Sequence, residues 1–291
     1  MKYVLILLCG MLLVSAVEGQ EKFRLPEVPM VLTDPAARAD FLALNYWQYF
    51  RFEDAEMMRQ PELTEQALAN FIEILPYAPQ RNKAVKQMLA SAEKGGREML
   101  DYFLTLYEKY LYDPNSPLRN SELYIPVLEY IQASKALTPE EKERPAQLLR
   151  LARKNRPGRK AEDFVYTLAD GRNGRLSQVK AEFTILFFNA PDCDECRRVH
   201  DCLASVGQFY DWIAGGRLAI LSVYPDADLV MWRAAWYPKE WISGYDAGQV
   251  ITKEEVYDLV ASPTLYLLDK DKNVILKDAT LEQILEYFQL N

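Results

Sequence analysis

The hydrophobic period of this chain changes once, near residue 155, and that change commits it to two structurally different halves. From about residue 34 to 153 apolar side chains recur at helical spacing: Phe41, Leu44 and Trp47, then Leu68, Phe71, Ile72 and Leu75, then Met99, Leu100, Phe103, Leu104 and Tyr107. Asp34 before Pro35 offers a cap followed by proline in the first turn, and Thr138-Pro139-Glu140-Glu141 reads as a capping box. Turn-forming loops such as Asp113-Pro114-Asn115-Ser116-Pro117 separate these runs, which predicts a bundle of about five or six helices. Tyrosines and tryptophans at helical spacing in this half are expected to be core.

The basic run Arg153 to Lys160, broken by Pro157-Gly158, suits an exposed linker or domain edge. Beyond it, Phe183 to Phe188 and Leu218 to Val223 are apolar runs of strand length, broken only by Thr184 and Ser222, and Thr264 to Leu268 and Val274 to Leu276 flank a polar turn. Between the first two runs a helical stretch places Val199, Leu203, Val206 and Tyr210 on one face. Strand, helix and strand in that order predict a right-handed parallel crossover, so the second half is α/β. The expected division is a targeting segment at 1–19, a helical domain at 20–153 and an α/β domain at 154–291. An aromatic-rich stretch between Pro225 and Gln249, with Trp232, Trp236, Tyr237, Trp241 and Tyr245, reads as an insertion packed mainly on its own domain, with a wall of the cleft that helps to choose substrates as the alternative.

Lys2 is followed by a mostly apolar stretch, Tyr3 to Val17, and then by polar residues. A spanning helix needs about 20 apolar residues, so this segment is expected to be a secretory signal peptide with a mature start near Gln20. Leu8 before Cys9 is not small, which argues against a lipid anchor. An exported chain meets oxidising conditions, and the three remaining cysteines are Cys193, Cys196 and Cys202. The net charge of −8 argues against nucleic acid as a partner, because phosphate binding rests on clustered Lys and Arg. One histidine, His200, leaves no material for a site built on several imidazoles.

Chemistry concentrates in Asn189-Ala190-Pro191-Asp192-Cys193-Asp194-Glu195-Cys196, where a buried strand hands over to a helix. Unpaired N–H groups and the positive helix end stabilise a thiolate at Cys193, and Cys196, one turn on, is within disulfide reach. Such a pair can exchange disulfides through a mixed disulfide. On a helical wheel with Cys193 at zero, Cys196 falls near about 300°, His200 near about 340° and Cys202 near about 180°. Cys202 therefore points away from the pair, which excludes a tetrahedral metal site from these residues; it reads as a buried, inert thiol. His200 reads as a solvated helix residue near the motif, with a role in proton transfer as the alternative.

Phe187-Phe188-Asn189-Ala190-Pro191-Asp192-Cys193-Asp194-Glu195-Cys196, with Ser262-Pro263-Thr264 and an apolar strand downstream, resembles the thioredoxin fold in its exported TlpA-like branch. Ala161-Glu162-Asp163-Phe164, the Asp170-Gly171 turn and Leu176 are similar to that branch's opening segment. The helical half, through Tyr110-Leu111-Tyr112-Asp113-Pro114-Asn115-Ser116-Pro117, resembles a domain of unknown activity that precedes thioredoxin-like domains in exported bacterial proteins. The resemblance implies Cys193 as attacking thiol and Cys196 as resolving thiol, without a cofactor. It also implies a cis proline at Pro263, where Ser262, Pro263 and Thr264 would receive an extended substrate. The implied partners are protein thiols or disulfides and an electron donor that recycles the pair.

Two positions depart from that family. Phe187 stands where many thioredoxins carry a buried acid that helps to deprotonate the resolving cysteine, and Asp192 replaces an aromatic. Asp192, Asp194 and Glu195 surround Cys193 and would raise its pKa, favouring a reducing couple, while the helix end, Arg197 and Arg198 oppose them. The alternative to an oxidoreductase is a binding or scaffold protein with an inactive thioredoxin-like domain. A thiol peroxidase is disfavoured because Ala190 replaces the threonine such enzymes carry.

Overall fold

The helical half follows from its caps and apolar stripes. A computed structural model describes residues 23–290, so the expected targeting segment at 1–19, with Cys9 and the start near Gln20, lies outside the described residues. Helices α1 (Pro35–Asn45), α2 (Pro61–Ile74), α3 (Arg81–Gly95), α4 (Arg97–Leu111), α5 (Ser121–Ala133) and α6 (Pro139–Ala152) build it. Asp34 accepts from the Ala37 N–H at 2.7 Å, and Thr138 with Glu141 closes the capping box that starts α6. Leu68, Phe71, Ile72 and Leu75 are buried, and Trp47 packs edge-on against Phe71 and Phe103 with ring centroids 5.8 and 5.4 Å apart. The aromatic stripes are core.

The second half contains β1 (Val165–Thr167), β2 (Asn173–Arg175), β3 (Phe183–Phe188), α7 (Asp194–Ser205), α8 (Gly207–Ala214) and β4 (Leu218–Tyr224). It continues with α9 (Leu229–Ala234), β5 (Ile242–Tyr245), α10 (Val250–Lys253), β6 (Thr264–Asp269), β7 (Val274–Leu276) and α11 (Leu281–Tyr287). Among the described residues the sheet runs β2-β1-β5-β4-β3-β6-β7, with β3 parallel to β4 and antiparallel to β6. Alternation along β3 serves both faces. Ile185 and Phe187 pack with Val199, Phe209 and Ile284 on one side, whereas Leu186 and Phe188 pack with Phe164 and Tyr257 on the other. A strand buried on both faces reads as a near-continuous apolar run, and in this one Thr184 is the single polar residue.

The crossover differs from expectation. One long helix was expected to carry Val199, Leu203, Val206 and Tyr210 on a single face, but Val206 is extended and caps a second helix beginning at Gly207. Phe209 is fully buried in place of Tyr210, which is exposed. The aromatic insertion also contributes more than packing, because its end forms β5, paired in parallel with β4.

The basic stretch between the halves is docked rather than free. Asn155 is buried, donates to the Val256 carbonyl at 2.9 Å and accepts from the Glu162 N–H at 2.7 Å. Lys154 donates to the Glu255 carbonyl at 2.7 Å, and Gln147 on α6 bonds Glu255 as well. Lys277 reaches the carbonyls of Ala152 and Lys154 at 2.9 and 2.8 Å, and Arg119 pairs with buried Asp278 at 3.6 Å. Burial pushes the Lys277 ammonium down and the nearby Asp258 carboxyl up.

Candidate active site

The end of β3 delivers the two cysteines to one edge of the sheet. The chain leaves β3 at Phe188, turns through Asn189 to Asp192, and enters α7 with Cys193 as its capping residue. The Cys196 N–H donates to the Cys193 sulfur at 3.0 Å, so the sulfur occupies the acceptor position that a Ser or Asp oxygen fills at other helix starts. Cys193 is half-buried and Cys196 is buried; the two form a disulfide with Cα atoms 5.1 Å apart.

Antiparallel pairing of β6 with β3 brings the loop before β6 against these sulfurs. The Ser262–Pro263 peptide is cis. The Ser262 carbonyl oxygen lies 3.5 Å from Cys193 Sγ, and its hydroxyl lies 3.1 Å from Cys196 Sγ. Thr264 behaves differently from its two neighbours. It is buried, its backbone pairs with Phe188, and its hydroxyl donates to the Ala261 carbonyl at 2.6 Å, so this side chain does not face the sulfurs.

The acids around Cys193 have partners. Asp194 pairs with Arg197 at 3.0 Å and Glu195 with Arg198 at 2.6 Å, each along one turn of α7. The Arg198 hydrogen bonds hold the Glu195 carboxyl below the ordinary range. The field expected from the acids is therefore offset locally by the two guanidinium groups. Asp192 is exposed at the same edge.

Behind Cys196 lies a cavity of about 400 Å³ lined by Asn189, Cys196, Arg197, His200, Trp236 and Tyr237 among others. The Tyr237 hydroxyl donates to Asn189 Oδ1 at 3.2 Å, and burial pushes its phenol up to about 12. His200 is not the solvated residue that the wheel suggested. It is 9 % exposed, and its ring meets Trp236, Tyr237 and Trp241 edge-on at centroid distances of 5.6, 6.0 and 5.0 Å. Cys202 is half-buried against the core beneath α7, less enclosed than expected. Among the described residues no cluster of His, Cys, Asp and Glu could hold a metal ion, and no helix is long and apolar enough to cross a membrane.

Residues 12–155 match a family described as a domain of unknown function, DUF5106. A solved thioredoxin-like protein from Bacteroides caccae is 42 % identical, with a TM-score of 0.88, and the match covers 93 % of this chain and 99 % of that one. A conserved protein of unknown function from Bacteroides fragilis is 40 % identical, covering 46 % of this chain and 98 % of its own at a TM-score of 0.44. The C-terminal domain of an uncharacterized Bacteroides fragilis protein is 44 % identical over 46 % of this chain and 98 % of its own, with a TM-score of 0.45. No protein of curated function matches the chain. Because the Bacteroides caccae protein is similar along nearly the whole of both chains, this chain belongs to the thioredoxin-like proteins, with a helical DUF5106 domain ahead of its α/β domain.

Proposed function

We propose that the chain is an extracytoplasmic thiol–disulfide oxidoreductase that exchanges disulfides with protein substrates. In the reductive direction the Cys193 thiolate attacks a substrate disulfide, forms a mixed disulfide and releases one substrate thiolate. Cys196 then attacks the Cys193 sulfur, closes the internal disulfide and releases the second substrate sulfur. Two electrons pass to the substrate, and an external dithiol donor returns the pair to its reduced form.

The observation that carries this reading is Ser262 beside both sulfurs at the mouth of the strand-to-helix turn. An extended peptide lying along Ser262 and Pro263 would present its own sulfur to Cys193, in the manner of strand addition. Location outside the cytoplasm rests on the apolar segment from Tyr3 to Val17. The test is reduction of insulin disulfides by the protein with dithiothreitol as donor. Turnover that disappears in Cys193→Ser supports the proposal. Equal rates in both proteins, or none in either, would leave the scaffold alternative standing.

A further inference from the structure

One buried base faces the same cavity as the resolving thiol and has no assigned role. His200 follows Cys196 by one helical turn on α7, a spacing that sets Cβ atoms about 5–6 Å apart on one face. Its Nδ1 lies 3.0 Å from Asp201 Oδ1, which favours the tautomer with the proton on Nδ1 and leaves Nε2 as a free acceptor. That Nε2 is buried and finds no hydrogen-bond partner among the described residues. A polar atom sealed from water without a partner costs about 1–3 kcal/mol, so its retention calls for a reason.

The other groups around the cavity do not offer a base. Tyr237 holds its proton, Arg197 is a cation paired with Asp194, and Trp236 and Trp241 do not titrate. Asp201, bonded to the far side of the ring, has 70 % of its side chain exposed. Asp194, with 94 % of its side chain exposed, points into solvent. On β3, Phe187 is fully buried and carries no charge.

We propose that His200 accepts the proton of Cys196 in the resolving step. The Cys196 thiol gives its proton to Nε2, directly or through one water in the cavity. The resulting thiolate attacks Cys193 Sγ and forms the internal disulfide, and the bond from Cys193 to the substrate sulfur breaks. The imidazolium proton then leaves with the departing substrate thiolate, so that His200 ends neutral.

This deepens the oxidoreductase reading and rests on it, but the step can be timed without any protein substrate. Reduced protein with Cys9 and Cys202 changed to Ser is mixed with excess Ellman's reagent. Cys193 forms a thionitrobenzoate mixed disulfide, and the second, reagent-independent release of thionitrobenzoate reports the attack by Cys196. At pH 7, His200→Asn is expected to slow that release by about a hundredfold, the lower end of the usual range for a positioned base. The deficit should shrink as pH rises and the thiol ionises unaided. In the native protein the release rate should inflect at the pH where the single imidazole titrates by NMR, a resonance that needs no assignment. A variant profile superimposed on the native one, a deficit equal at every pH, or a rate that inflects away from the imidazole titration would overturn the proposal. Failure to reduce insulin would instead count against the oxidoreductase reading alone.

Discussion

The hydroxyl of Ser262 lies 3.1 Å from the sulfur of Cys196, although the two residues are 66 positions apart in the chain. In the reduced protein this hydroxyl is placed to donate to the Cys196 thiolate. A hydrogen bond to a charged group is worth about 1.5–3 kcal/mol net. Ser262→Ala should therefore slow the release of thionitrobenzoate by about tenfold or more while leaving alkylation of Cys193 by iodoacetamide unchanged. Slower alkylation would mean that the substitution had displaced the whole loop.

The pairs Asp194–Arg197 and Glu195–Arg198 set the local charge at Cys193. Removing both guanidinium groups leaves the carboxylates unopposed, which destabilises a thiolate and makes the couple more reducing. For Arg197→Ala combined with Arg198→Ala, the potential measured against glutathione should fall by up to about 30 mV, equivalent to about one pKa unit. These side chains are exposed, so the shift should shrink in 1 M salt, where the screening length is only about 3 Å. A shift toward oxidising values contradicts the argument.

Gly95 closes α3 directly over the backbone of Phe52. A Cβ there would lie 2.2 Å from the Phe52 carbonyl oxygen and 2.6 Å from its carbon, atoms that no rotamer change can move. Gly95→Ala should cost about 1–3 kcal/mol in urea unfolding, the range for an overpacked site. An unchanged midpoint would show that the Phe52 segment yields without penalty.

Asp258 is buried next to the seam between the halves, and burial together with Asp278 raises its carboxyl above the ordinary range. An acid that binds its proton more readily when folded adds stability as pH falls through the raised value, and subtracts it above that value. Asp258→Asn should accordingly melt above the native protein at pH 7, with the gap closing as pH falls toward about 4, where the unfolded carboxyl also protonates. A lower melting temperature for the variant at pH 7 would mean that attraction to Arg119 and Lys277 outweighs the burial cost.

Strong local periodicity made much of this fold legible. The caps at Asp34 and Thr138, the stripe from Leu68 to Leu75 and the run from Phe183 to Phe188 each carry a signal within a few residues, and the structure follows them. The misreadings arose where tertiary contacts decide. Val206 and Tyr210 share the helical spacing of Val199 and Leu203, although α7 ends at Ser205, and including them draws the apparent core direction away from His200. With only Cys196, Val199, His200 and Leu203 on the wheel, the buried face centres near about 290°, and the imidazole falls within it. Its burial is completed by Trp236, Tyr237 and Trp241, distant residues whose approach no local pattern announces. Ser262 posed the same difficulty at smaller scale. Its place beside Pro263 suggested a substrate-facing backbone, whereas its hydroxyl on Cys196 depends on the register of β6 against β3.

The seam between the two halves has a mechanical side. Glu255 and Val256 are gripped by Gln147, Lys154 and Asn155, and the same stretch of backbone runs on within a few residues to Ser262. The wall opposite the sulfurs is thus continuous with a stretch held by Gln147 of the bundle and by Lys154 and Asn155 of the connection. A sheet domain excised at residue 154 would keep both cysteines and the grip of Lys154 and Asn155 on that stretch, and would lose the bond from Gln147.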